Sequence, residues 1–157
     1  MKIVKIILVA LLVILVLMQF YRPEKNIETT PTEANLFKQT DVPQDVAQML
    51  KTSCFDCHSN NTEYPWYNNI APVSYWLADH INGGKRHLNF SEWGNYSTKK
   101  KLHKLDETKE LVEKKHMPID SYLWIHKDAK LSEEQIQKIS AWVDSYSASL
   151  QATAAQQ

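Results

Sequence analysis

Apolar residues run unbroken from Ile6 to Met18, directly behind Lys2 and Lys5. Basic residues followed by such a run read as an export signal or a membrane anchor. A cleaved signal would end in small residues, but this run ends Met18-Gln19-Phe20-Tyr21-Arg22. The pattern favours an uncleaved anchor helix over residues 1–21, with Phe20 and Tyr21 at the lipid–water interface. Counted from Ile3 to Tyr21, that helix would be roughly 28 Å long at ~1.5 Å per residue.

The pattern then changes twice. Residues 22–40 are polar, include Pro23 and Pro31, and read as a flexible linker. From Asp41 the apolar positions recur with helical spacing. Val46, Met49 and Leu50 follow Pro43, a residue suited to a helix start. Val73, Trp76, Leu77 and Ile81 follow Pro72, and Gly83 or Gly84 is the expected stop. Leu102, Leu105 and Val112 form a narrow stripe on an otherwise charged helix. Ser132 and Gln135 are spaced as a capping box ahead of Ile136, Ile139, Trp142, Val143 and Tyr146. No stretch alternates apolar and polar over a strand's length, so the expected class is all-α. The folded domain is expected over 41–146, with a disordered tail over 147–157.

Composition narrows the function. Eighteen basic and eighteen acidic residues give a formal net charge of zero. That argues against nucleic-acid binding, which requires a basic surface. Five tryptophans and seven tyrosines point to an aromatic core or pocket.

The chain has two cysteines, in Cys54-Phe55-Asp56-Cys57-His58. A disulfide across so short a loop would add little stability. A thiol–disulfide redox site belongs in a βαβ setting, which is absent. A zinc site would need Cys57 and His58 on the same side, yet adjacent helical residues diverge. Covalent haem attachment fits the spacing best. Cysteines three apart share one side of a helical turn, and the next residue is rotated by about 100° towards the iron. The expected cofactor is one covalent haem c, with Cys54 and Cys57 as its attachment points and His58 as proximal ligand.

The blocks "SCFDCHSNNTEYPWYNNIAPVSYWLADHINGGKRHLNFSEW" and "HMPIDSYLWIHKDAKLSEEQIQKISAWV" resemble the bacterial haem-binding domain family, small exported proteins related to cytochrome c. The resemblance covers about Val46–Ser145. It implies a cytochrome c-like helical domain around the haem, and leaves the pathway open.

A second axial donor favours electron transfer, while an open position favours gas binding or catalysis. Met117 is the leading candidate, because Pro118 disfavours helix at Met117 and ends the charged helix there. This is similar to the Met-Pro context of cytochromes c, although Ile119 stands where a second proline often follows. His80, on the apolar face of its helix, is the rival ligand or a propionate partner. Tyr64 and Trp66 are the expected porphyrin wall, and Arg86, with Lys85, the expected propionate partner.

Together these features describe a membrane-anchored monohaem c-type cytochrome-like protein of the bacterial inner membrane, with its haem domain facing the periplasm. Its expected role is one-electron transfer with redox protein partners, rather than catalysis. A haem sensor or haem enzyme with an open sixth site is the alternative.

Overall fold

The computed structural model describes residues 1–28 and 30–156, and no strand occurs among them. The helices are α1 (Lys2–Met18), α2 (Leu36–Gln39), α3 (Gln44–Ser53), α4 (Phe55–His58), α5 (Val73–His87), α6 (Thr98–Glu113), α7 (Asp120–Leu123) and α8 (Glu133–Ala154). Short 3₁₀ turns occupy Trp66–Asn69, Phe90–Asn95 and Lys127–Ala129.

The apolar spacing selects the packing. Val46, Met49 and Leu50 of α3 meet Ile139, Trp142 and Val143 of α8, with Leu105 of α6 and Trp93 completing the core. Trp93 is 1% exposed, and its indole N–H donates to the Tyr146 hydroxyl at 3.0 Å. The capping box forms at the start of α8: the Gln135 N–H donates to the Ser132 hydroxyl, and the Ser132 N–H to the Gln135 side chain. Ser97 caps α6, its hydroxyl accepting the Lys100 N–H.

Within the expected linker over 22–40, the described residues 22–28 and 30–40 are not loose. The Asn26 side chain donates to the Ser59 carbonyl and the Thr62 hydroxyl at 2.8 and 2.9 Å. Thr32 donates to the Ser91 carbonyl, and the Gly94 N–H donates to the Ala34 carbonyl at 2.7 Å. Leu36 is 0% exposed, and Phe37 stacks on Phe55 at 5.0 Å. The segment is a strap held by backbone and side-chain hydrogen bonds, by buried Leu36 and by half-buried Phe37.

Three helix ends also differ from expectation. Helix α8 continues through the supposed tail to Ala154, because Leu150 extends its apolar face past Tyr146 onto the core. Helix α5 passes through Gly83 and Gly84 and ends only at His87. Helix α1 stops at Met18, short of Tyr21, where the Gln19 side chain bonds to the Leu15 and Ala71 carbonyls at 2.8 and 3.1 Å. Side chains from Ile3 to Leu17 are exposed all round α1. Among the described residues, no helix is long and apolar enough to cross a membrane.

Candidate functional site

The two cysteines sit on either side of a sharp joint. Helix α3 ends at Ser53, Cys54 takes a non-helical conformation (φ −127°), and the single turn of α4 follows. The N–H groups of Cys57 and His58 both donate to the Cys54 carbonyl, at 3.2 and 2.9 Å. This turn holds the two cysteines on one side and rotates His58 away from them. The intervening residues lock it in place. Phe55 is the middle ring of a stack, 5.0 Å from Phe37 and 5.2 Å from Phe90. Asp56 accepts the Glu63 N–H at 3.0 Å and the Tyr122 hydroxyl at 2.7 Å.

Helix α5 crosses α4 at Gly84. A Cβ there would lie 2.5 Å from the Cys57 carbonyl oxygen and 3.0 Å from the Cys57 Cβ. Only glycine allows the two backbones to come this close.

His58 Nδ1 lies 3.0 Å from the Leu88 carbonyl. Donation of Nδ1–H to that oxygen leaves the Nε2 lone pair free for a metal. Burial lowers the imidazole pKa from its ordinary value, against the opposing effect of the Leu88 and Gly84 backbone. A neutral ring is the ligating form. Burial, then Cys57, pushes the Cys54 thiol up to about 12, and burial, then Asp56, pushes the Cys57 thiol up to about 11. A thiol–disulfide catalyst depends on the reverse, a lowered thiol pKa.

A cavity of about 670 Å³ opens over this turn. Cys54, Cys57 and His58 lie on its α4 side, and Leu88, Phe90, Leu111, Val112 and Ile119 supply apolar walls. Its size and mainly apolar surface suit a large cofactor, while Asp79, Arg86, Lys104 and Glu107 place charged groups on its lining. Residues 117–122 close the far side. The route there begins at the end of α6, where Lys115 adopts a left-handed conformation (φ 56°). The Lys115 and His116 N–H groups bond back to the Val112 and Leu111 carbonyls, a Schellman-type wrap. That reversal, two residues ahead of the stop expected at Met117, brings Met117 to the cavity.

The cavity also gathers His80, Arg86, His87 and Lys104. The His80 Nδ1–H donates to the Trp76 carbonyl at 2.9 Å, so its Nε2 is free as well. Lys85 turns away and donates to the Asn26 side chain at 2.5 Å. Tyr64 and Trp66 are not porphyrin walls. The Tyr64 hydroxyl accepts the Asn26 N–H at 2.7 Å, and Trp66 is 76% exposed. Both lie beyond the tight turn at Ser59–Thr62, which carries them outside the cavity. Among the described residues no tryptophan lines it.

Among the described residues no three His, Cys, Asp or Glu side chains converge as a metal cluster, so the partners that would complete a zinc site are not gathered. The cavity fits haem: a mainly apolar surface, two thiols on one helical turn and an imidazole with its Nε2 free. Neither a curated protein nor a solved structure matches the chain. A family model described as a haem-binding domain matches residues 13–145, and the chain belongs to that haem-binding domain family.

Proposed function

We propose that the protein is a membrane-anchored monohaem c-type cytochrome-like electron carrier, with its haem domain on the exported face of the bacterial inner membrane. The observation that carries this reading is the gathering of Cys54, Cys57, His58 and Met117 around one cavity. When bound, haem c supplies a one-electron ferric/ferrous couple. Cys54 and Cys57 would hold it through thioether bonds. His58, oriented by the Leu88 carbonyl, and Met117 would be the residues that bind its iron. Arg86 and Lys104, at the cavity edge, are placed to neutralise propionates. Leu88, Phe90, Leu111 and Val112 exclude water and so help to set the potential.

Helix α1 supports the membrane part of the proposal, since it exposes apolar side chains on every side. Its seventeen residues span about 26 Å at ~1.5 Å per residue. A bilayer accommodates a helix a few ångströms short of its ~30 Å core by thinning, or by drawing flanking residues inwards. Redox protein partners would then be met at the membrane surface.

The test is intact mass after acid–acetone extraction, on protein from cells competent in cytochrome c maturation. One haem above the polypeptide mass is expected, and a bare polypeptide mass would refute covalent attachment. Carbon monoxide separates the readings that remain. A six-coordinate carrier resists it, whereas a sensor or enzyme with an open site binds it without mutation.

A further inference from the structure

The root of α1 is fastened to the haem domain at one place. The Gln19 side chain forms a two-way bond with the Ala71 backbone, donating to its carbonyl at 3.1 Å and accepting its N–H at 3.0 Å. The Tyr75 hydroxyl donates to the Met18 carbonyl at 2.5 Å and lies 3.1 Å from the Tyr21 carbonyl. The Tyr21 and Tyr75 rings are 5.7 Å apart. Arg22 reaches the Asn69 side chain at 3.4 Å. These contacts join the end of α1 to the segment from Trp66 to Trp76, so α1 cannot swivel freely about the domain.

That same segment exposes large apolar side chains. Trp66 is 76% exposed, Ile70 46% and Trp76 46%, next to Phe20 at 83% and Tyr21 at 72%. On α5 the expected apolar face is divided: Ile81 is buried, while Val73 and Trp76 remain outside. Exposed aromatic residues grouped at one level mark an interface with lipid, because their rings sit favourably among headgroups. Arg22 and Lys25 adjoin the group and suit lipid phosphates.

We infer that residues 66–76, with Phe20 and Tyr21, form a platform that lies in the headgroup layer of the bilayer and holds the haem domain in one orientation. The inference rests on the membrane reading of α1 given above. It replaces a domain swinging on a tether by one seated on the membrane. The shortness of α1 acts in the same direction, since hydrophobic mismatch draws its root towards the lipid.

The experiment uses the full chain in phosphatidylcholine–phosphatidylglycerol vesicles, with p-benzoylphenylalanine placed in turn at Trp66, Ile70 and, as control, Trp124. Trp124 is 70% exposed and directly follows α7, outside the 66–76 segment. After irradiation, lipid adducts are counted by mass spectrometry. Adducts at positions 66 and 70 at least fivefold above position 124 are expected. Gln19→Ala should lower them towards the control while the chain still floats with vesicles. Equal adducts at all three positions in a floating chain would overturn the platform and leave the anchor standing. Failure of the wild-type chain to float would overturn both.

Discussion

His58 Nδ1 lies 3.0 Å from the Leu88 carbonyl, and that contact decides which ring nitrogen faces the cavity. Leu88 directly follows α5, so the length of α5 and the orientation of the imidazole are coupled. Replacing His58 with Ala removes the proximal nitrogen. The visible spectrum of the purified protein is expected to lose its six-coordinate character. A spectrum unchanged from wild type would remove His58 from the ligand set.

Gly83 and Gly84 are adjacent in sequence but not equivalent. A Cβ on Gly84 would meet the Cys57 carbonyl at 2.5 Å, while the nearest atom to one on Gly83 is an Arg86 side-chain nitrogen at 3.8 Å. Gly84→Ala should therefore push α5 off α4 and cost about 1–3 kcal/mol, lowering the yield of attached haem. Gly83→Ala should be neutral or gain up to about 1 kcal/mol from helix propensity. Thermal unfolding of the two haem-free variants makes the comparison, and equal losses would contradict the close crossing.

Leu36 tests whether the strap belongs to the domain. It is fully buried among Val46, Leu50 and Trp93 in one core cluster. Leu36→Ala should cost about 2–5 kcal/mol, as for other buried leucines. A loss below ~0.5 kcal/mol in denaturant unfolding would restore the flexible-linker view.

These contrasts show what the sequence could disclose. The attachment turn and the stripe from Ile136 to Val143 were legible because local spacing alone defines them. The strap was not: Leu36 and Phe37 sit in a four-residue helix with no period to detect, and its other ties are hydrogen bonds of the backbone and of the Asn26 and Thr32 side chains. The cavity walls from Leu88 to Ile119 come from the end of α5, the Phe90–Asn95 turn, α6 and the start of α7, and nothing local marks them. Tyr64 and Trp66 misled because nearness in sequence to Cys57 stood in for nearness in space. Lys115 hid the true end of α6, since lysine is an unusual residue for a left-handed cap.

Tyr122 links the far side of the cavity to the attachment turn through Asp56, at 2.7 Å. Burial first, and the Asp56 bond second, push its phenol well above the ordinary tyrosine range. The folded chain keeps this proton where the unfolded chain releases it. Stability should therefore fall as pH rises through about 10. Tyr122→Phe should cost about 1.5 kcal/mol at neutral pH, from the lost bond to a carboxylate, and flatten the alkaline fall. Some slope should persist, because burial also raises the Tyr67 pKa. An alkaline slope identical to wild type would show that Tyr122 does not hold its proton in this way.

Met117 and His80 both reach the cavity, and either side chain has a donor atom suited to iron. Their supports differ. Met117 follows directly on the fixed reversal at Lys115, whereas the His80 ring packs at a tilt against Trp76, 4.2 Å between centroids, with Nδ1 on that residue's carbonyl. We propose Met117 as the sixth ligand on the strength of that reversal, with His80 in a packing or propionate role. A thioether favours ferrous iron, so Met117→Ala should lower the reduction potential and let carbon monoxide bind readily. His80→Ala should leave ligation as it was. Spectra of the two variants with and without carbon monoxide give the decision. If His80→Ala opens the site while Met117→Ala changes nothing, the haem has two histidine ligands, and the reversal at Lys115 serves only to close the cavity.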